Sequence, residues 1–281
     1  MSKEDTSGQT TFLGHLFVLR KHLFRMALYI TVGAVAAFFC DHIIYDGILF
    51  GPRHADFPTY RFFCGLSDAV NRWFGTSVDL CIRPEDFNIQ NRELTGQFNS
   101  HLWVSFVAGL VLAAPLIVWE IWRFVAPALT QAERRSARGA VFYVSALFFA
   151  GLAFGYFVIV PMSINFFTGY RLGTEQAVVN NIELSSYTSN VVNITLAAGV
   201  MFQLPIAVYV LARMGLVSSS FLLRYYRHAL VLILVVAAVL TPPDVVSQIV
   251  LAVPIVLLYQ AGILICRRIE RSRAKDAQTE E

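Results

Sequence analysis

Six stretches of apolar side chains, most of them long enough to cross a bilayer, alternate along the chain with short polar segments. A crossing helix needs roughly 20 predominantly apolar residues at about 1.5 Å rise each. The pattern predicts spans at about 23–43, 99–121, 140–165, 187–211, 226–241 and 245–266. The uninterrupted run in the fifth, Ala229 to Leu240, would give only about 18 Å of helix against a hydrocarbon core of about 30 Å. The break at Thr241-Pro242-Pro243-Asp244, followed by another long apolar stretch, favours a short helical hairpin over a buried helix of a soluble core. Two short spans would thin the bilayer locally or border a wet cavity.

Composition strengthens this picture. Of 281 residues, 56% are hydrophobic and 15% charged, and the mean hydropathy is +0.58. A soluble globule of that length needs more charge to cover its surface. The fold class expected is an all-α integral membrane protein with six transmembrane helices. The net charge of +3 is too small to imply nucleic-acid binding, and where the charges lie says more than their sum. Six arginines, Arg53, Arg61, Arg72, Arg83, Arg92 and Arg171, fall on one side of the predicted spans. The remaining sixteen of the 22 Lys and Arg fall on the other, with the N-terminus, 123–139, 212–228 and the C-terminal tail. The positive-inside rule then places both termini in the cytoplasm, which six spans satisfy. The first eleven residues are polar and no small-residue cleavage pattern follows, so no cleavable leader is expected. One membrane domain, 1–270, is expected, with an extended outside loop at 44–98 and a charged, disordered tail at 271–281.

Cys64 and Cys81 both fall in the outside loop. In an oxidising compartment they can form a disulfide; two buried free thiols are the alternative. Cys40 and Cys266 lie near opposite faces and are not expected to pair.

Several polar positions invite chemistry. From Thr11 to Arg25 an amphipathic helix is expected, with Phe12, Leu16, Leu19 and Leu23 on one face and Gly14, His15, Lys21, His22 and Arg25 on the other. Val18 interrupts the polar arc. Arg20 sits on the apolar side between Leu16 and Phe24, where it either snorkels from an interfacial anchor or orders a binding surface. Thr130-x-x-Glu133 matches a capping box, which by itself accounts for Glu133. The same carboxylate, amid Arg134, Arg135 and Arg138, could also receive a cationic guest through a charge-assisted hydrogen bond. Gln203 puts an amide at membrane depth next to Pro205, as a helix–helix hydrogen bond or as part of a cavity lining. Asp244 is placed to cap the sixth span. Pro115, Pro161, Pro205 and Pro254 can bend four spans into a concave bundle. No phosphate-binding loop, Cys/His metal spacing or catalytic triad pattern is present, so neither enzymatic chemistry nor a cofactor is expected.

These residues, taken in order, resemble the TatC family, the multispanning receptor subunit of the twin-arginine protein translocase. The resemblance rests on Phe12-Leu13-Gly14-His15-Leu16 with Leu19-Arg20, on Pro115 and on Trp122-Arg123-Phe124-Val125-Ala126-Pro127-Ala128-Leu129 with Glu133-Arg134. It rests also on Phe154-Gly155-Tyr156-Phe157-Val158-Ile159-Val160-Pro161 and on Leu240-Thr241-Pro242-Pro243-Asp244 with Ser247-Gln248. It covers nearly everything from Phe12 to Arg268. It implies a concave bundle with two short C-terminal helices in a bacterial inner membrane. It implies binding of paired-arginine signal peptides at the cytoplasmic face and export of folded cargo driven by the proton-motive force. TatA- or TatB-like single-span subunits and self-association in a larger complex are the implied partners, besides lipid. The resemblance maps Arg20, Phe124, Glu133 and Arg134 onto signal-peptide binding, and Pro52, Gln203 and Asp244 onto transport or assembly.

The chain departs from the family at two positions. Val18 stands where an acid is usual in the N-terminal helix, and Gln203 where one is frequent in the fourth span. Losing one charge-assisted bond, about 1.5–3 kcal/mol, would weaken capture of a guest by about tenfold or more. Glu120, Glu4, Asp5, a partner subunit or backbone carbonyls are the candidate compensators. Two other functions fit the same spans: a small secondary transporter with Gln203 in its path, and a scaffold that clusters single-span partners without transporting.

Overall fold

The computed structural model describes residues 12–54, 56–75, 81, 87–125, 131–171 and 181–279. Helices dominate them, because in hydrocarbon every backbone N–H and C=O has to be satisfied within the chain. In order these are α1 (Phe12–Phe38), α2 (Pro58–Phe74), α3 (Gly96–Val125), α4 (Gln131–Phe154), α5 (Val160–Gly169), α6 (Leu184–Met201), α7 (Leu204–Arg213), α8 (Ser219–Arg224), α9 (Tyr226–Leu240) and α10 (Val245–Thr279). Wider π-helical turns occupy Ile43–Leu49 and Gly155–Ile159, and a 3-10 turn occupies Gly51–Arg53. Two short strands, β1 (Asn88–Gln90) and β2 (Asn181–Glu183), pair in parallel with Ile89 opposite Ile182.

Four helical runs are long and apolar enough to cross a membrane: Gly96–Phe124, Val141–Gly169, Leu184–Arg213 and Val245–Ser272. Leu16–Phe38 passes the same test only when joined to the helices that follow it. Tyr226–Leu240 is apolar but has 15 residues, about 22 Å. Large apolar side chains stand on the surface of these helices, among them Phe24 (72% exposed) and Val239 (79%). Outward-facing apolar surface of that extent is what a lipid solvent accepts and water does not.

The helices gather into two compact units, Met1–Asp41 with His101–Ser145, and His42–Ser100 with Ala146–Glu281. In the first, α1 and α3 run antiparallel and meet at three levels. His22 meets Glu120 near one end. In the middle, Gly33 and Gly109 let the backbones touch: a Cβ on Gly109 would lie 2.3 Å from the Ala34 nitrogen. Near the other end the His101 ring stacks on Phe38 at 4.1 Å and its Nε2 lies 3.1 Å from the Phe38 carbonyl oxygen.

In the second unit, α4 approaches α6 so closely that a Cβ on Gly151 would come within 2.7 Å of the Ala198 oxygen. Ile159, Val160 and Ser163 are fully buried beside this crossing. A second core joins α7, α8 and α10 through Ala212, Leu222, Ile263, Cys266 and Ile269. Glu270 on α10 accepts from the Ser219 backbone N–H (2.8 Å) and Oγ–H (2.5 Å), fastening the start of α8.

The four prolines that the sequence singles out take two kinds of position. Pro115 and Pro254 sit inside α3 and α10, whereas Pro161 and Pro205 open α5 and α7 directly after breaks in the helical ladder. Helix α10 runs on through the charged residues after Arg271 to Thr279. Ala, Lys and Gln are good helix formers, and neither Gly nor Pro interrupts the extension.

Candidate functional site

The site is built where the polar arc of α1 meets the end of α3. The sequence separates an apolar and a polar arc on α1 without saying which one packs on protein. In the structure Leu16, Leu23 and Phe24 of the apolar arc are exposed, while His22 of the polar arc is buried. Its partner is Glu120, 1% exposed, on α3. The His22 Nδ1–H donates to Glu120 Oε2 at 2.5 Å, and the Tyr29 hydroxyl donates to Oε1 at 3.3 Å. Arg25 and Arg123 bring Nη1 to 3.7 and 3.8 Å from Oε1, and both keep part of their guanidinium side chains in the open. A carboxylate cannot be buried in an apolar bundle without such company. On its other side the His22 ring meets Phe124 edge-on, with centroids 5.9 Å apart. Glu120 therefore sets His22, and His22 packs on the residue that leads into the 126–130 segment.

Arg20 is exposed and lies in a shallow apolar groove with Leu16, Leu19, Leu23, Phe24 and Ala27. Among the described residues it makes no ion pair. Thr130 and the side chains of Glu133 and Arg134 lie outside the described residues; the backbone at 133 and 134 is in the first turn of α4.

The other positions singled out by sequence lie in the second unit. Pro52 is buried in the 3-10 turn, and its carbonyl accepts the Tyr60 hydroxyl at 2.9 Å. Gln203 sits half-buried at the break between α6 and α7, where its backbone carbonyl accepts from Ile206 and Ala207 N–H, both at 3.0 Å. Asp244 caps α10: its Oδ2 accepts the Ser247 N–H and the Ser247 hydroxyl, both at 2.9 Å. Partial burial works to raise the Asp244 pKa, but the hydrogen bonds from Ser247 and Val246 outweigh it and hold the carboxyl below its ordinary range. Cys64 and Cys81 are bonded, with Cα atoms 4.1 Å apart. Glu120, one of several possible compensators for Val18, turns out to be occupied by four neighbours of its own chain. The sequence hinted at this pair only through a lone carboxylate in an apolar run and a histidine on the polar arc of α1.

The helical runs and their lipid-facing surfaces define a polytopic, all-α membrane protein. A family model described as "Sec-independent protein translocase protein (TatC)" matches residues 14–254. The TatC of Blattabacterium sp. subsp. Periplaneta americana is 35% identical over 262 residues, 93% of this chain and 97% of the relative. That of Desulforapulum autotrophicum is 32% identical over 283 residues, 100% and 92% of the two chains. Two crystal structures of the twin-arginine translocase receptor TatC share the fold. One, in DDM, has TM-score 0.67, 26% identity, and 89% of this chain and 98% of that one covered. The other has TM-score 0.63, 24% identity and coverage of 91% and 99%. The chain belongs to the TatC family of Sec-independent protein translocase proteins.

Proposed function

We propose that this chain is the receptor and core subunit of a twin-arginine translocase, binding paired-arginine signal peptides at its cytoplasmic rim and supporting proton-motive-force-driven export of folded proteins. The observation that carries the proposal is the rim of the first unit. There a buried Glu120 fixes His22, and His22 packs on Phe124 immediately ahead of the segment that ends in Glu133. Solved relatives named as twin-arginine translocase receptors support the same role. α1 carries no carboxylate and Glu120 is engaged by its own neighbours, so in this reading Glu133 receives a guest guanidinium. Its planar, two-pronged partner is arginine rather than lysine. In this reading Arg20 and Arg134 also take part in signal-peptide binding.

In this reading the chain sits in a bacterial inner membrane with six crossings and both termini cytoplasmic. α1 and the short α9 supply the two crossings beyond the four long runs, as charge asymmetry requires. Pro52, Gln203 and Asp244 serve transport or assembly with TatA- or TatB-like single-span partners and further copies of the chain. The Cys64–Cys81 bridge closes the outside loop. The test is export of a folded reporter in a bacterial strain lacking its own TatC, supplied with cognate partner subunits. The wild-type chain restores export and Glu133→Ala reduces it by about tenfold, the value of one charge-assisted bond. Full export by Glu133→Ala would reduce that residue to a helix cap.

A further inference from the structure

Between α1 and α2 the chain makes an irregular passage, a π-helical stretch at Ile43–Leu49 followed by a 3-10 turn at Gly51–Arg53. Such a passage leaves carbonyls without their usual partners. In an α-helix the Ile48 oxygen would take the N–H of residue 52, but Pro52 has none. The Leu49 oxygen would take the Arg53 N–H, which instead bonds the Phe50 oxygen at 3.1 Å. A tyrosine hydroxyl meets each of three carbonyl oxygens in this passage, and each tyrosine comes from a different element. Tyr156, in the second π-helical turn, donates to Ile48 O at 2.6 Å. Tyr187 on α6 donates to Leu49 O at 2.9 Å. Tyr60 on α2 donates to Pro52 O at 2.9 Å. Leu49, Pro52, Tyr60 and Tyr187 are buried. The Tyr156 hydroxyl lies so near that a Cβ on Gly51 would stand 2.8 Å from it.

Three phenols from separate helices on one five-residue turn exceed what packing alone calls for, because phenylalanine would fill the same ring space without bringing a polar group into an apolar bundle. The two π-helical stretches they bridge are the least regularly bonded parts of their runs, and such stretches recur where helices change shape for function. We infer that Tyr60, Tyr156 and Tyr187 are positioning residues that hold the Ile48–Pro52 turn in the form required for transport, at a step after signal-peptide capture. The inference rests on the receptor reading, in which capture occurs at the cytoplasmic rim and this turn lies on the outer side. The hydroxyls supply donors to the carbonyls of the broken segment. They also tie the outside loop to the third and fourth apolar runs, so a change in those runs is transmitted to the turn.

The test uses the full chain with its partner subunits in membrane vesicles, carrying Tyr60→Phe, Tyr156→Phe and Tyr187→Phe singly and together. Three readouts are taken: amide hydrogen exchange at residues 50–54, photocrosslinking to a twin-arginine signal peptide, and export of a folded reporter. In the triple variant exchange at 50–54 should rise about tenfold, peptide capture should stay within about twofold, and export should fall at least about fivefold. p-Aminophenylalanine at position 156, which restores a donor at the same point, should recover most of the export lost by Tyr156→Phe. If the triple variant does not accumulate, Tyr156→Phe, the least buried of the three, carries the comparison.

Unchanged export in the triple variant overturns the inference. So does unchanged exchange, and so does a parallel loss of capture and export, which would mark the phenols as general stabilisers. A wild-type chain that captures no signal peptide overturns the receptor reading and this role in transport with it, while exchange at the turn still decides whether the clamp exists.

Discussion

Glu120 and Asp244 are both carboxylates at helix ends, yet only one of them can be understood from its own neighbourhood in sequence. Asp244 stands three residues before Ser247 at the start of an apolar run, and the cap it forms is the one a local reading expects. Glu120 finds its partner 98 residues away, and no local signal on α3 names His22. Removing one side of such a buried pair costs about 3–5 kcal/mol, because the other side is left unpaired. Glu120→Ala should therefore lower the thermal unfolding midpoint in detergent far more than Glu120→Gln. A double-mutant cycle with His22→Ala should show coupling of at least about 1 kcal/mol; additive losses would contradict the pairing.

Asp244 makes a prediction in pH. Its pKa is lower folded than unfolded, so its stabilisation is present above the unfolded value of about 3.9 and is lost as pH falls through the folded value. Asp244→Ala should cost about 1 kcal/mol at pH 7, and the gap to wild type should close below about pH 4. Asp244→Asn, which keeps a cap, should retain most stability and export. A large loss of export with stability intact would show that the charge itself is used.

At the scale of helices, the apolar runs were legible because a bilayer demands unbroken length, and the prolines marked where the third and fourth runs break. The π-helical stretches were not legible: one inserted residue leaves no compositional trace, and the tyrosines that bond the first of them come from distant elements. The β1–β2 pair was invisible for a similar reason, being three residues on each side joined across more than ninety positions. Helix α2 lies inside the extended outside loop and left no clear signal, because its pattern mixes aromatic and charged positions. The packing of α1 on α3 depends on two glycines that look alike in sequence to any others. Gly109→Val drives a side chain into the Ala34 backbone and should cost about 1–3 kcal/mol or more, seen as loss of folded protein in detergent. Gly65→Ala, in α2 with nothing within 4 Å, should instead be neutral or stabilising by about 0.5–1 kcal/mol.

At the scale of the whole molecule, membership in the TatC family and an all-α membrane fold are established, and the recognition chemistry remains the claim to test. Orientation and function enter through charge asymmetry and family, both of which lie in the sequence. The packing face of α1 does not, because a helical wheel separates two arcs without saying which one meets protein and which meets lipid. The central claim is that arginine pairs are read at the rim formed by α1, the end of α3 and the start of α4. Photocrosslinkers at Phe124 and Glu133, in vesicles presented with a twin-arginine signal peptide and with its twin-lysine counterpart, test it most directly. The account predicts strong capture of the first and loss of the second, since lysine lacks the planar fork. Equal capture of both peptides would contradict it.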